Sequence, residues 1–210
     1  MGTDQDFYRM VMRMITIKCQ TGDDVVIEAD SLEGADLSAL NLHRAILDGQ
    51  KVRGARLVDT VLRSAWLQQA DLTGCDLSRA ILFSAVAVGA VFVGAQLRDA
   101  VLSTGIFDLA DFTNADLRGA RVGQASFKGA MLGGAKLCCQ GLEKAELAGA
   151  QADASTEWPE GFVPEAHGVI VRNAVTGTDT DTDTGTDTGT GTGTDRAAGA
   201  AAGAGTDSSV

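Results

Sequence analysis

The stretch ADLSA LNLHR AILDG QKVRG ARLVD, residues 35–59, divides into blocks of five, each with an aliphatic residue at its third place. The pattern then runs on. TVLRS AWLQQ ADLTG CDLSR AILFS AVAVG AVFVG AQLRD AVLST GIFDL ADFTN ADLRG ARVGQ ASFKG AMLGG AKLCC QGLEK AELAG brings the count to 23 pentapeptides ending at Gly149, with no residue inserted or missing. The third place is Leu in 16 blocks, Phe in four (Phe92, Phe107, Phe112, Phe127), Val in two (Val52, Val122) and Ala once, at Ala87. The first place is Ala in 17.

A period of five fits neither the 3.6-residue turn of a helix nor the two-residue alternation of a flat strand, so the chain must turn a corner once per block. The third residue and the one two places before it point the same way, as strand geometry requires, and both are apolar. They face inward. The other places hold Asp, Arg, Gln, Ser, Thr and Gly, suited to a solvated wall and tight corners. Four such sides close a square coil of 20 residues, stacked on its neighbours at roughly the 4.8 Å of backbone pairing. Ala prevails at the first place because little room remains beside the large third-place side chains. An Ala/Leu helix is excluded, since these apolar positions would not stay on one helical face.

The blocks ADLSA, ADLTG, CDLSR, ADFTN and ADLRG carry an A-(D/N)-L-x-x consensus that resembles the pentapeptide-repeat family, continuously over 35–149. The resemblance implies an all-β fold, a right-handed quadrilateral parallel β-helix; the handedness comes from the resemblance and not from the period.

Such a stack leaves an apolar core and an unpaired edge open at each end, and repeat proteins need polar caps there. Over 15–34, Ile15, Ile17 and Cys19 alternate with polar neighbours, Thr21-Gly22-Asp23 offers a turn, and Val25, Ile27 and Ala29 alternate again, which predicts a hairpin feeding the first coil. The ITIK…TG…V stretch is also similar to N-terminal caps of some family members. The coils are expected to occupy 35–154 and a C-terminal cap 155–174, with Trp158 and Phe162 as a plug. Residues 1–14 have apolar residues at roughly helical spacing, compatible with a surface helix or with disorder, and Met14 is a second candidate start. The Thr/Gly/Asp/Ala-rich residues 175–210 cannot bury enough surface to offset ordering entropy and are expected to be disordered. Within them Asp179, Asp181 and Asp183 imitate the start of a calcium loop, but Gly185 comes one place late and the twelfth residue is Thr190.

The net charge of -11 is unevenly distributed: residues 35–149 carry eleven acidic against twelve basic residues, so the excess acid lies at the ends. Cys19, Cys75, Cys138 and Cys139 lack ligand spacing and read as reduced thiols. No apolar run approaches the roughly 20 residues of a membrane span and the opening residues lack a signal-peptide pattern, so the cytoplasm is the expected compartment. His43 and His167 are the two histidines, with no phosphate loop, nucleophile elbow or metal spacing. His43 reads as a solvated residue, and the 20-residue recurrence of Asp36, Asp76 and Asp116 as a salt-bridged solvent face. These features predict a protein that is not an enzyme and that has no catalytic, cofactor or metal site.

The best-understood members of the family bind type II topoisomerases by imitating duplex DNA, which makes gyrase a possible partner. DNA carries about one charge per 1.7 Å, and the near-neutral coils fall well short of that density. Residues 20 apart should stack, and sorting them by side gives another candidate. One side presents Ile46, Trp66, Val86 and Ile106, with Val88 and Leu109 beside them; the adjacent side presents Val61, Ile81 and Val101, with Phe83. Val91, Val93 and Met131 are the apolar exceptions on the other two sides. An apolar patch of this extent suits a protein partner, a homodimer or coverage by residues 1–13, although β-branched residues also favour strands for their own sake. Neither nucleic acid nor membrane is expected as a direct partner.

Overall fold

The computed structural model describes residues 13–172, and the expectations for 1–12 and for the tail from 173 onward lie outside them. Each block but the one centred on Leu137 closes with a turn in which the third-place carbonyl accepts from the amide three residues on, as in Gln50 N to Leu47 O at 3.1 Å and Ala55 N to Val52 O at 3.1 Å. From Gly34 to Gly134 every fifth residue has φ between 53° and 73°, whether or not it is glycine. A positive φ at the third residue of an i to i+3 turn is the type II signature. Arg44, Thr104 and Leu109 adopt it at a steric cost of about 1–2 kcal/mol each, held there by the ladder on either side.

Between turns, second-place residues form parallel bridges at intervals of 20, such as Ile46 to Trp66 to Val86 to Ile106. Trp66 N donates to Ala45 O in the coil below at 2.8 Å, and Leu67 N to Val86 O in the coil above at 2.7 Å. The chain is therefore a parallel β-helix of 20-residue coils with four turns per coil, and among the described residues there is no α-helix.

The ladder satisfies the amides of the first, second, third and fifth places and leaves over that of the fourth. Where the second residue is Asp or Asn, its side chain accepts this amide: Ser38 to Asp36 at 3.0 Å, His43 to Asn41 at 3.2 Å, Thr73 to Asp71 at 3.1 Å, Ser78 to Asp76 at 3.1 Å and Thr113 to Asp111 at 2.9 Å. The D/N of the consensus is thus a local side-chain cap for the one backbone donor that stacking cannot reach.

Third-place side chains fill the interior. Phe92 stacks on Phe112 at 4.7 Å and Phe107 on Phe127 at 5.3 Å, and the two pairs meet edge to face at 5.5–6.1 Å. Phe107 explains the one glycine at a first place, because a Cβ on Gly105 would lie 2.5 Å from Phe107 Cε2. Thr60 and Cys75, also at first places, are buried and donate to the carbonyls of Leu37 and Val52, at 2.8 and 3.0 Å.

At the N-terminal end, β1 (Met14–Ile17) pairs antiparallel with β2 (Val25–Glu28), with Ile15 opposite Ile27 and Ile17 opposite Val25. The hairpin docks on the first coil, Ile46 N donating to Lys18 O at 2.8 Å, and so covers one open edge.

The register is not unbroken at the other end. Cys139 N reaches Leu137 O at 2.6 Å, and Cys139 is absent from the run of positive-φ residues. Gln140 therefore meets Arg121 one residue early. Gly141, at φ 82°, and a 3-10 turn at Leu142–Lys144 restore the spacing by Glu146, which bridges Ser126. One extra residue then enters after β3 (Gln151–Asp153), so that Glu157 lies over Lys136. Strand β4 (Ile170–Arg172) continues the ladder parallel to β3. Trp158 and Phe162 stack at 5.3 Å, and His167 adds a third ring at 4.6 Å from Phe162.

Gly105→Ala is expected to lower stability by about 1–3 kcal/mol through overpacking. The same change in a Phe107→Leu background should cost less, and thermal melts of the four-protein cycle measure the difference. Additive costs would show that the Phe107 ring does not set the choice of glycine.

Candidate interaction surface

Turns separate the 20-residue ladders into four walls, each with a second-place column along its middle. One column runs Ile46, Trp66, Val86, Ile106, Ser126, Glu146, and Lys18 of the hairpin extends it by a step below Ile46. The next runs Asn41, Val61, Ile81, Val101, Arg121, Gln140. Ile46, Trp66, Ile81 and Ile106 are exposed; Val61, Val86 and Val101 are half-buried because their stacked neighbours cover their flanks. Phe83 and Val88 are half-buried beside the column centred on Val86, and Leu109, at a corner, is 65% exposed. The sequence-selected residues therefore fall on two adjacent walls with the turn residues 63–64, 83–84 and 103–104 between them. A single flat partner can cover one wall at a time.

Arg63 shapes this boundary, its guanidinium lying 4.9 Å from the centre of the Phe83 ring. Neither apolar column retains the Asp or Asn cap through coils two to four. The amides of Phe83 and Val88 find no protein acceptor among the described residues.

The other two walls carry charge. Arg56 lies 3.8 Å from Asp36 and Arg53 3.3 Å from Asp71 on neighbouring coils. At a corner, Arg79 forks onto Asp59 with bonds of 2.8 and 2.7 Å, which holds the Asp59 carboxyl below its ordinary range. Asp116, expected on a solvent face, is instead buried. Arg118 and Arg98 both close over it at 2.7 Å, and the hydrogen bond from Arg118 is the main cause that holds its carboxyl far below the usual range. The other acids of its column, Asp36 exposed and Asp76 half-buried, lack this double cover. Asp36, Asp59, Asp71, Asp116 and Glu146 are thus ion-paired, and the coils as a whole carry eleven acidic against twelve basic residues.

Burial raises the thiol of Cys75 to about 11 and that of Cys139 to about 12, and it also raises Cys19. Cys138 is exposed. A cleft of about 550 Å³ lies among Thr113, Met131, Gly133, Gln151, Asp153 and Arg172. The Asp153 carboxylate there is already occupied by Ser155 N at 2.9 Å, Ser155 Oγ at 2.6 Å and Gly134 N at 3.2 Å. His43 is half-buried at its corner and His167 stacks in the C-terminal cap, far apart in the chain and without a shared cleft. Among the described residues no cluster of His, Cys, Asp and Glu has the geometry of a metal site, and no helix is long and apolar enough to cross a membrane.

The family model for pentapeptide repeats matches eight copies, over residues 55–85, 67–103 and 106–138. No curated protein matches the sequence. Among solved structures, a trypsin-treated form of QnrB1, a plasmid-mediated fluoroquinolone resistance protein, is 20% identical over 68% of this chain and 85% of that one, with a TM-score of 0.48. Rfr23, a pentapeptide-repeat protein from the cyanobacterium Cyanothece 51142, is 26% identical over 60% and 86%, with a TM-score of 0.38. A pentapeptide-repeat protein of the Arabidopsis thaliana thylakoid lumen is 32% identical over 50% and 67%, with a TM-score of 0.33.

Two measurements check the electrostatics. Because the folded-state pKa of Asp116 is depressed, its contribution to stability is full above the ordinary carboxyl range, near pH 4, and is lost as pH falls toward the folded value. Asp116→Asn should cost about 1–2 kcal/mol at pH 7 and flatten the acid side of the stability profile; an unchanged profile would refute the assignment. Native protein at pH 8 should react quickly with a maleimide at Cys138 alone, the other three thiols reacting after denaturation.

Proposed function

Since this chain belongs to the pentapeptide-repeat family, we propose that it is a non-enzymatic protein-interaction module that presents an apolar wall of a rigid β-helix to a protein partner in the cytoplasm. The coil is taken to be right-handed and quadrilateral, as the family resemblance implies. The hairpin over 15–34 and the segment 155–174 serve as its caps.

One observation carries the reading. At the second place, Asp or Asn caps a backbone amide that is otherwise left to solvent or, as at Gln68 and Lys128, to a fourth-place Asp of the coil below. Through coils two to four the walls of Trp66 and Ile81 replace that cap with Ile, Val or Trp, giving up a local bond to expose apolar surface. Strand propensity alone would favour β-branched residues equally on all four walls. The charged walls instead keep Asp71, Asp76, Asp111 and Asp116, with Val91 and Met131 as exceptions. Trp66, 39% exposed and flanked by Ile46 and Val86, has the character of an interface anchor.

The second reading, gyrase binding by DNA imitation, is raised by the family resemblance and the net charge of -11. Against it stand the near-neutral balance of the coils, eleven acidic against twelve basic residues, and the ion pairs at Asp36, Asp59, Asp71, Asp116 and Glu146. Binding through the apolar walls should depend weakly on salt, whereas electrostatic imitation fades over a Debye length of about 8–10 Å.

A photo-crosslinking residue at position 106, introduced in the cell, should give protein adducts, and one at Gln96 on a charged wall should not. Equal adducts at both would sink the apolar-wall reading. Purified gyrase should supercoil DNA normally in micromolar protein; inhibition there would replace this reading with the second one.

A further inference from the structure

The polar residues that bound the Trp66 wall identify its partner. The column begins with Lys18, continues through Ile46, Trp66, Val86 and Ile106, and ends with Ser126 and Glu146. Val86 is its midpoint, three steps from either charged end. Along the corner beside it run Asp48, Gln68, Val88, Asp108 and Lys128, tied to one another by Gln68 N to Asp48 at 2.8 Å and Lys128 N to Asp108 at 3.1 Å. The lower end of the wall is thus positive on the column and negative on the corner, and the upper end is the reverse.

Resting on the reading of this wall as an interaction surface, we propose that its partner is the same wall of a second copy of this chain, packed antiparallel about a two-fold axis at Val86. A two-fold axis lying across the wall reverses the stacking direction and keeps each side of the wall on its own side. It sets Lys18 against Glu146, Ile46 against Ser126 and Trp66 against Ile106, with Val86 meeting its own copy. On the corner it sets Asp48 against Lys128 and Gln68 against Asp108, with Val88 at the axis. Every charged residue on these two lines meets an opposite charge or a neutral side chain. The parallel alternative needs an axis along the stacking direction, which exchanges the two sides of the wall and sets Lys18 on Lys18 and Glu146 on Glu146 along the column, two like-charge contacts that disfavour it.

Lys18 already binds Asp24 at 2.5 Å and Glu146 already binds Lys128, so the cross-contacts extend existing pairs and select register more than they add affinity. The wall spans six steps, about 29 Å at about 4.8 Å each. One wall is narrower than the two-column patch expected from the sequence, which places the contact at the small end of specific interfaces and makes the dimer reversible on dilution.

Sedimentation velocity on the full chain should show a monomer–dimer equilibrium in the micromolar range. Trp66→Glu should abolish it with an unchanged circular dichroism spectrum. Register is tested by cysteines in a Cys138→Ser background: chains carrying Trp66→Cys mixed with chains carrying Ile106→Cys should be joined by a short bis-maleimide. Trp66→Cys alone should join poorly, at least fivefold less. Efficient joining of Trp66→Cys to itself would overturn the antiparallel register, and a monomer at all concentrations would overturn self-pairing. In the latter case crosslinks from position 106 to a different protein leave the interaction-wall reading standing, and the absence of any adduct removes both.

Discussion

A left-handed turn every fifth residue governs everything else in the described chain. Once Gly34, Ala39, Arg44 and their successors adopt positive φ, the block length is fixed at five and four blocks return the chain to its starting side. The third-place side chain then has nowhere to go but inward, and the second-place side chain nowhere but outward. Twelve of these turns are made without glycine, so the conformation is imposed by hydrogen bonds to the coils above and below more than by local preference. The stability of each turn is therefore borrowed from its neighbours, as in other repeat architectures.

That division of labour separates the residues that make the fold from those free to do something else. The first place must be small, the third large and the fifth tolerant of a left-handed backbone. The second place is the one where fold and surface compete, because Asp or Asn there caps the leftover amide while any other residue forgoes the cap. The charged walls follow the fold's preference and pair the carboxylates of Asp36, Asp71 and Asp116 with Arg, most fully at Asp116. The apolar walls follow another preference.

The period of five, the Leu and Phe core and the column membership of Trp66 and Ile81 were legible because each depends on spacing alone. What spacing does not carry was missed. The register slip at Cys139 arises from a turn closed one residue early, and its one signal is Gly141, the sole glycine at a second place. The burial of Asp116 depends on Arg98 and Arg118, eighteen residues before and two after it, meeting over one carboxylate. The position of Lys18 at the foot of the Trp66 column follows from how the hairpin docks, outside the repeat register. His167 joins the Trp158–Phe162 stack through a segment with no repeat at all.

The slip at Cys139 also bears on how the molecule ends. A β-helix of unbroken register offers its last coil as a template for another chain, and an edge so regular is an aggregation hazard. Here the last coils are first one residue short, at Gln140, and then one residue long, at Glu157, and Trp158 and Phe162 pack against the core beyond them. The antiparallel hairpin does the corresponding work at the other end, since its β1–β2 pairing runs against the parallel ladder. Between these ends the sides of the β-helix present walls that differ in polarity. There the polarity of each wall, and not the backbone, decides what can bind.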